Sequence, residues 1–215
     1  MKIDTAPLHA LLLAGGHSRR MGKEKSKLLY QGQTQFSRIV VILRELGIPS
    51  HLSIRAGQTL PAEANLSTSP LSPPAEAMAA EINPIHDRDS FKDIGPLGGI
   101  LSALASHPGH AFLVIACDLP FLEIKTLEQL IQDRKPEKLA TAFRSHHDRL
   151  PEPLCAIWEP HGAKLLQQKL DAGIRCPRKI LIQSEIQLLE LTNKEALDNI
   201  NTPEEYRDAL ARMKK

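Results

Sequence analysis

The sequence predicts a single α/β domain over residues 1–215, with a Rossmann-like three-layer fold and a mostly parallel central sheet. Short apolar runs alternate along the chain with segments whose apolar residues recur at helical spacing. This alternation is typical of parallel strands covered by helices. The hydrophobic fraction of 42% in 215 residues is sufficient for one substantial core.

The individual elements follow from local patterns. The apolar run 112–116 is typical of a buried strand, Gly47 follows a helical spacing that starts at Phe36, and Pro96 suits the first turn of a helix. A capping box at Thr202 marks the start of a terminal helix. Strands are predicted over 8–13, 51–55, 83–86, 112–116, 139–143, 154–158 and 186–191. Helices are predicted over 36–46, 96–105, 124–133, 164–170 and 203–213.

The segment 60–81 interrupts this alternation, because it contains Pro61, Pro70, Pro73 and Pro74 among serines and alanines. Proline-rich segments without apolar periodicity are typical of surface loops. We therefore expect a flexible loop or an insertion here, and a functional lid is the alternative interpretation.

Composition and charge argue against several classes of protein. A formal net charge of +2 predicts no general affinity for nucleic acid, and the apolar runs are shorter than the ~18 residues of a membrane span. Cys117, Cys155 and Cys176 form neither a CxxC pair nor a zinc pattern, so we expect reduced thiols in a cytoplasmic protein. The first apolar run ends in a glycine turn, so we do not interpret it as a signal peptide.

The most informative stretch is 11–28, where an apolar strand leads into a glycine turn. Gly15 and Gly16 lack a Cβ, so backbone N–H groups there can approach an anion closely. Basic side chains follow and supply countercharge, a combination suited to a nucleoside triphosphate. The spacing fits neither a P-loop nor a dinucleotide fingerprint, and the alternative is an ordinary turn with a solvated basic face. The basic residues are Arg19, Arg20, Lys23, Lys25 and Lys27.

Asp118 comes directly after the predicted buried strand 112–116. Ligands of open α/β sheets bind beyond the carboxyl ends of the strands, so Asp118 and the glycine turn should face one crevice if their strands are parallel neighbours. Packing explains this Asp poorly, and we interpret it as a Mg²⁺ ligand that bridges to the triphosphate. The alternative, an N-cap for the helix 124–133, places Asp118 several residues too early.

Four segments extend over nearly the whole chain in a recognisable order. They are Leu13-Ala14-Gly15-Gly16-x-Ser18-x-Arg20-Met21-Gly22-x-x-Lys25-x-x-Leu28, Gly95-Pro96-Leu97-Gly98-Gly99-Ile100, Cys117-Asp118-Leu119-Pro120-Phe121 and Asn199-Ile200-Asn201-Thr202-Pro203-Glu204-Glu205. Together they resemble the motifs of the molybdenum cofactor guanylyltransferases, which are nucleotidyltransferases. Glu24 departs from the Asp that this family usually carries before the lysine.

The resemblance implies that the backbone of the opening motif holds GTP and that Lys25 contacts its phosphates. Lys25, Arg20 and Asp118 are then the catalytic residues, and Asp118 binds Mg²⁺, the implied cofactor. The implied GTP-binding residues are Leu13, Ala14, Gly15, Gly16, Ser18, Gly22, Lys25, Asp87 and Asp118.

The resemblance also implies a carboxylate that reads guanine after the third strand. Asp87 fits that place and Asp89 is the nearby rival, although both could be solvated loop acids. Arg55 stands where the family has an Asn that contacts the nucleotide. Asn201 is a weaker candidate for substrate contact, and its alternative role is to shape the turn before Thr202.

The implied reaction moves GMP from GTP to the terminal phosphate of molybdopterin, with or without molybdenum, and releases pyrophosphate. A phosphate monoester is largely ionised at neutral pH because its second pKa is near ~6, so no general base is needed. GTP and molybdopterin are the expected substrates, with transient contacts to molybdopterin-delivering proteins or molybdoenzymes and with neither nucleic acid nor membrane. One alternative is an enzyme that uses CTP on molybdopterin or on a sugar or isoprenoid phosphate. The other is a nucleotide-binding regulatory protein without turnover, against which Lys25 and Asp118 argue.

Three further features have two interpretations each. His146-His147-Asp148 is a candidate metal site, but a solvated loop is favoured because no partner at ligand spacing is visible. Trp158 is expected in the core, with a platform for the pterin as the alternative. A set of basic residues either lines an anionic pterin-phosphate site or is ordinary surface charge. These are Arg144, Arg149, Arg175, Arg178 and Lys179.

Overall fold

The computed structural model describes residues 5–14, 24–55, 58 and 82–214. The segment 60–81, predicted to be a loop or an insertion, lies outside the described residues. Six residues of the opening motif also lie outside them: Gly15, Gly16, Ser18, Arg20, Met21 and Gly22.

A seven-stranded sheet lies at the centre of the part of the chain that the structure describes. The strands of this part are β1 (Leu8–Leu13), β2 (Leu29–Tyr30), β3 (Gln33–Thr34), β4 (Ser50–Ile54), β5 (Ile82–His86), β6 (Ala111–Ala116), β7 (Ala140–Arg144), β8 (Pro151–Trp158) and β9 (Gln187–Glu190). The order in the sheet is β5-β4-β1-β6-β8-β7-β9, and β2 and β3 form a separate hairpin. Each neighbouring pair of the sheet is parallel except the two that involve β8, so the prediction of a mostly parallel sheet is confirmed.

Helices cover both faces of this sheet and complete the three predicted layers. They are α1 (Gln35–Leu46), α2 (Pro96–Ser106), α3 (Ile124–Gln132), α4 (Ala163–Asp171), α5 (Pro177–Ile182) and α6 (Pro203–Arg212). On one face, α1 and α3 contribute Phe36 and Leu127 to a core cluster. On the other, α2, α4 and α5 contribute Leu97, Leu166 and Ile180 to a second cluster. The central strand β6 is therefore buried on both sides, which is why it is apolar throughout.

The chain order of the strands reverses at β1. After β1 the chain builds β4 and β5 on one side of it, and then returns to place β6 on the other side. The carboxyl ends of β1 and β6 thus border a topological switch point, where open α/β sheets bind their ligands. Leu13, the last residue of β1, lies opposite Ala116, the last residue of β6.

Helix α2 lies very close to the sheet beside this switch point. A Cβ added to Gly99 would come within 2.5 Å of Ser53 Oγ and 2.9 Å of Leu13 Cδ2. Only glycine allows this approach without displacing the side chains of Leu13 and Ser53. Gly99 therefore serves packing, and Pro96 occupies the first turn of α2 as predicted.

The C-terminal helix closes onto the hairpin of β2 and β3. Leu28 and Tyr30 share a small apolar cluster with Ile200 and Ala209, and the Tyr206 hydroxyl donates to the Leu29 carbonyl at 2.7 Å. The predicted capping box at Thr202 is present. This packing places the segment 199–205, the last of the four motifs, against the end of the opening motif at Leu28.

Some elements were not predicted. Helix α5 has six residues and the strands β2 and β3 have two each, which is too short for periodicity to show. Trp158 is fully buried and donates its indole N–H to the Pro153 carbonyl at 3.2 Å, so the core interpretation is confirmed. Among the described helices, none is long and apolar enough to cross a membrane.

Candidate active site

The candidate site lies at the edge of the sheet where the parallel strands β5, β4, β1 and β6 end. Asp87 follows β5, Arg55 follows β4, Ala14 follows β1, and Asp118 comes two residues after β6. The strands are parallel neighbours, which is the condition under which Asp118 was predicted to face the glycine turn. Leu13 and Ala14 end β1 at this edge, and the glycine turn itself lies outside the described residues.

Lys25 lies at the centre of the described part of the site. It begins a short 3-10 turn, Lys25–Lys27, and its Nζ donates to Asp118 Oδ2 at 2.8 Å and to Asn201 Oδ1 at 2.6 Å. The side chains of Lys25 and Asp118 are 20% and 22% exposed. A pair at this depth is partly screened by water, so its main effect is on the placement of the two groups and less on stability.

Backbone contacts hold Asp118 in place. The N–H of Cys117 donates to the Leu13 carbonyl at 3.3 Å, which continues the ladder between β1 and β6. The Asp118 carbonyl accepts from the N–H of Ile200 at 3.0 Å. The N-cap of α3 is Glu123, so the alternative role of Asp118 as that N-cap is excluded.

Asn201 both shapes a turn and reaches the site, so the two roles considered for it are compatible. Its N–H donates to Glu205 Oε2 at 2.6 Å, and the N–H of Thr202 donates to the same oxygen at 3.0 Å. The Thr202 hydroxyl accepts in return from the N–H of Glu205 at 3.2 Å. This capping box fixes the backbone from which the Asn201 side chain extends to Lys25.

Asp87 and Asp89 have different environments although they are two residues apart. Asp87 is half-buried, its N–H donates to the Ile54 carbonyl at 2.8 Å, and Ser53 Oγ donates to its Oδ1 at 3.4 Å. Burial raises the pKa of Asp87 above its ordinary value, and Arg55 is among the neighbours that oppose this rise. Asp89 is exposed and paired with Lys92, which lowers its pKa. The burial favours Asp87 as the residue able to contact a ligand in the crevice.

Two polar contacts near this edge were missed from the sequence. Ser53 donates a hydrogen bond to Asp87, and the only sign of this contact in the sequence was a polar residue near the end of a buried strand.

Asp198 Oδ1 lies 2.9 Å from His147 Nε2 and 3.7 Å from His146 Nε2. The histidine pair therefore has a carboxylate partner, contrary to the expectation of a solvated loop without one. Such a partner, about 50 residues away in sequence, has no local signature.

The basic residues considered for an anionic site are largely engaged with acids. Arg144 and Arg149 both contact Glu190, and Arg178 contacts Asp148 and Glu152. Of the two interpretations, these ion pairs favour ordinary surface charge for the three arginines, because their guanidinium groups already have carboxylate partners.

The family model of the MobA-like NTP transferase domain matches residues 10–187. The chain belongs to this family. It is therefore an enzyme of the nucleotidyltransferase class, and the resemblance drawn from the four motifs is confirmed at the level of the family.

Curated relatives and solved structures extend the likeness beyond the family model. A molybdenum cofactor biosynthesis bifunctional protein of Synechocystis is 33% identical over 95% of this chain, and the chain spans only 54% of that protein. A molybdenum cofactor guanylyltransferase of Pseudomonas paraeruginosa is 30% identical over 92% of each chain. The fold is similar to that of molybdopterin-guanine dinucleotide biosynthesis protein A from Archaeoglobus fulgidus, with a TM-score of 0.69 at 23% identity over 96% of this chain and 98% of the other.

We expect Asp87→Asn to raise the urea midpoint of unfolding at pH 7. Because burial raises the pKa of Asp87 in the folded state, its contribution to stability is present below its unfolded-state pKa and is lost as the pH rises through the folded-state pKa. Asn removes the half-buried charge and keeps an oxygen that can accept from Ser53. The gain should diminish toward pH 4, and urea unfolding between pH 4 and pH 8 measures it.

Asp89→Asn is the matched control and should act in the opposite direction. The pKa of Asp89 is lowered by its hydrogen bond to Lys92, so its contribution to stability is present at neutral pH and is lost as the pH falls through its folded-state pKa. The midpoint of this variant at pH 7 should be unchanged or slightly lower. A loss of stability at pH 7 in Asp87→Asn would contradict the burial argument.

Proposed function

We propose that this chain is a molybdenum cofactor guanylyltransferase, which transfers GMP from GTP to the phosphate of molybdopterin and releases pyrophosphate. The observation that carries the proposal is the convergence of three motifs on one ammonium group. Lys25 meets Asp118 and Asn201, which are 93 and 176 residues away in sequence. The guanylyltransferase relative that is 30% identical over 92% of each chain supports the choice of reaction.

The reaction needs two anions held together and little proton chemistry. An oxygen of the acceptor phosphate forms a bond to the α-phosphorus of GTP, and the bond from this phosphorus to the bridging oxygen breaks as pyrophosphate leaves. The acceptor is already ionised at neutral pH, so the main task of the protein is to offset charge repulsion. Lys25 supplies a positive charge at the edge where the glycine turn begins.

The residues present fit a divalent cation of the Mg²⁺ type. A carboxylate oxygen of Asp118 and an amide oxygen of Asn201 already surround one cationic group, the Lys25 ammonium. Oxygen donors of these two kinds are the ligands that hard divalent cations prefer. Asp118 would hold the ion with Asn201 beside it, and bound Mg²⁺ would add countercharge for the triphosphate.

Asp87 is proposed to read the guanine base. Three strand spacings of 4.7–4.9 Å separate β5 from β6, so the strand ends that carry Asp87 and Asp118 are roughly 14 Å apart. A nucleoside triphosphate laid across the ends of β4 and β1 therefore has its base near Asp87 and its phosphates near Lys25. A carboxylate accepts from both N1–H and the 2-amino group of guanine.

The proposal includes the cellular location of the reaction and the proteins that contact the enzyme. A cytoplasmic location accords with the free thiols of Cys117, Cys155 and Cys176. Transient contacts with proteins that deliver molybdopterin or receive the product are part of the proposal, because such a product must pass from one protein to another.

Pyrophosphate release should require GTP, Mg²⁺ and molybdopterin together. The measurement is a screen of the four nucleoside triphosphates with each component omitted in turn. Asp118→Asn controls for contaminating activity and should lose turnover while its circular dichroism spectrum is retained, because it removes an anionic ligand with little change in shape. Turnover with CTP and none with GTP would instead identify a cytidylyl-transferring enzyme, and binding of nucleotide without turnover would favour a regulatory protein.

Lys25→Ala should lower kcat/KM by about 10²–10³-fold, the range observed when one preorganised charge-stabilising group is lost. The matched control is Lys27→Ala on the same 3-10 turn, because the Lys27 ammonium lies 2.8 Å from Glu24 and its side chain is 64% exposed. Steady-state kinetics with GTP should show little change in this control. Equal losses in the two variants would mean that the turn acts as a diffuse basic patch.

Asp87→Ala should weaken the preference for GTP over ATP, measured by competition binding of GTP, ITP and ATP. Hydrogen bonds to charged groups contribute about 1.5–3 kcal/mol, so the affinity for GTP should fall roughly 10- to 150-fold. ITP lacks the 2-amino group and should lie between GTP and ATP in the parent.

Asp89→Ala is the matched control for this base preference and should retain it, since Asp89 is exposed and paired with Lys92. If Asp89→Ala alone abolishes the preference, the guanine contact belongs to Asp89. If neither variant changes it, backbone groups read the base and the assignment to Asp87 is wrong.

A further inference from the structure

Four of the nine histidines meet at the amino-terminal edge of the sheet, opposite the candidate active site. His9 and His51 are the second residues of β1 and β4, and His107 and His110 lie in the turn between α2 and β6. The N–H of His110 donates to the His107 carbonyl at 3.2 Å and closes this turn. We call these four residues the histidine cluster.

Three rings of the histidine cluster, those of His9, His51 and His107, are close enough to share one ion, and the His110 ring lies beside that of His9. The His9 ring centroid lies 5.1 Å from that of His51, 5.4 Å from that of His107 and 4.4 Å from that of His110. One ring nitrogen from each of His9, His51 and His107 lies within 4.8 Å of the other two, and His9 Nδ1 is 3.0 Å from His51 Nε2. Two nitrogens bound to a tetrahedral Zn²⁺ are about 3.4 Å apart, which lies within the range of these distances.

Two nitrogens of the cluster are buried without a partner. Nδ1 of His51 and Nδ1 of His107 have no hydrogen bond among the described residues, although buried polar atoms are usually paired. A bound metal ion would give such nitrogens a partner, because histidine binds metals through its ring nitrogens.

We propose that His9, His51 and His107 bind Zn²⁺, with His110 in the fourth position. Imidazole nitrogens suit Zn²⁺ far better than Mg²⁺, and a site closed by four protein ligands is structural. The ion ties the starts of β1 and β4 to the turn that precedes β6. The fully buried Phe112 ring, 5.9 Å from the rings of His9, His51 and His107, provides an apolar wall.

The site is separate from the chemistry of the proposed nucleotidyl transfer. His9 and Leu13 lie near opposite ends of β1, and Leu13 is the end that borders the crevice. The second histidine cluster, His146 and His147 with Asp198, is a weaker candidate. The Asp198 carboxylate already accepts from Arg212 at 2.9 Å, and His147 is 67% exposed.

The test is Zn²⁺ binding to the metal-free full chain, measured by calorimetry in excess Mg²⁺ and without nucleotide. We expect one equivalent to bind, and at a Zn²⁺ concentration of 100 times Kd the Tm should rise by about 5–10 °C. Co²⁺ as a probe should give the strong visible bands of tetrahedral nitrogen coordination. Absence of stoichiometric Zn²⁺ binding, or thiolate-to-cobalt charge-transfer bands, would overturn the proposal.

Variants assign the bound ion to the histidine cluster. His107→Ala/His110→Ala should lower the Zn²⁺ affinity by more than the roughly 10–100-fold that loss of a supporting second-shell group costs. These residues lie in a partly exposed turn, and circular dichroism checks that the variant folds. His9→Gln is the second variant and should show the same loss.

The matched control is His146→Ala/His147→Ala, which removes the second histidine cluster and should bind Zn²⁺ like the parent. Unchanged affinity in the variants of His9, His107 and His110 would overturn the assignment, as would loss of binding in this control.

Discussion

The contact of the Lys25 ammonium with Asp118 and Asn201 is the interaction on which the rest of the site depends. It joins segments 93 and 176 residues apart, and each comes from a different motif of the chain. Because the lysine and the aspartate are about one-fifth exposed, their attraction is partly screened and contributes little to folding. Its consequence is geometric, since a cation and two oxygen donors are placed together at the proposed nucleotide site.

The C-terminal helix belongs to the site, because it holds one side of this contact. Tyr206 donates to the backbone of the β2–β3 hairpin, and Ile200 packs in the same small cluster as Tyr30. The capping box between Thr202 and Glu205 then fixes the turn from which Asn201 extends. The apolar packing of α6 thus positions the Asn201 amide, and the capped N-terminus of α6 fixes the backbone at this residue.

The two ends of the parallel strands, here called the carboxyl edge and the amino edge of the sheet, carry different types of side chain. Parallel strands all end at one of these edges and all begin at the other, so residues at equivalent strand positions lie close together. The carboxyl edge gathers Asp87 and Asp118, whose oxygens suit a nucleobase and a hard cation. The amino edge gathers imidazoles around His9, which suit a borderline-soft cation. The proposed Zn²⁺ site and the proposed reaction can therefore coexist without competing for metal.

The sequence by itself determined the features that local patterns encode. The buried strand before Asp118, the helix stop at Gly47 and the capping box at Thr202 all follow from residues within a few positions of one another. Tertiary structure alone decided which distant groups meet. Asp87 and Asp89 have the same local context, and only the burial of Asp87 beside β4 distinguishes them. In the histidine cluster, His9, His51 and the pair His107 and His110 are tens of positions apart in sequence, so no local pattern links the three, and the parallel strands bring them together.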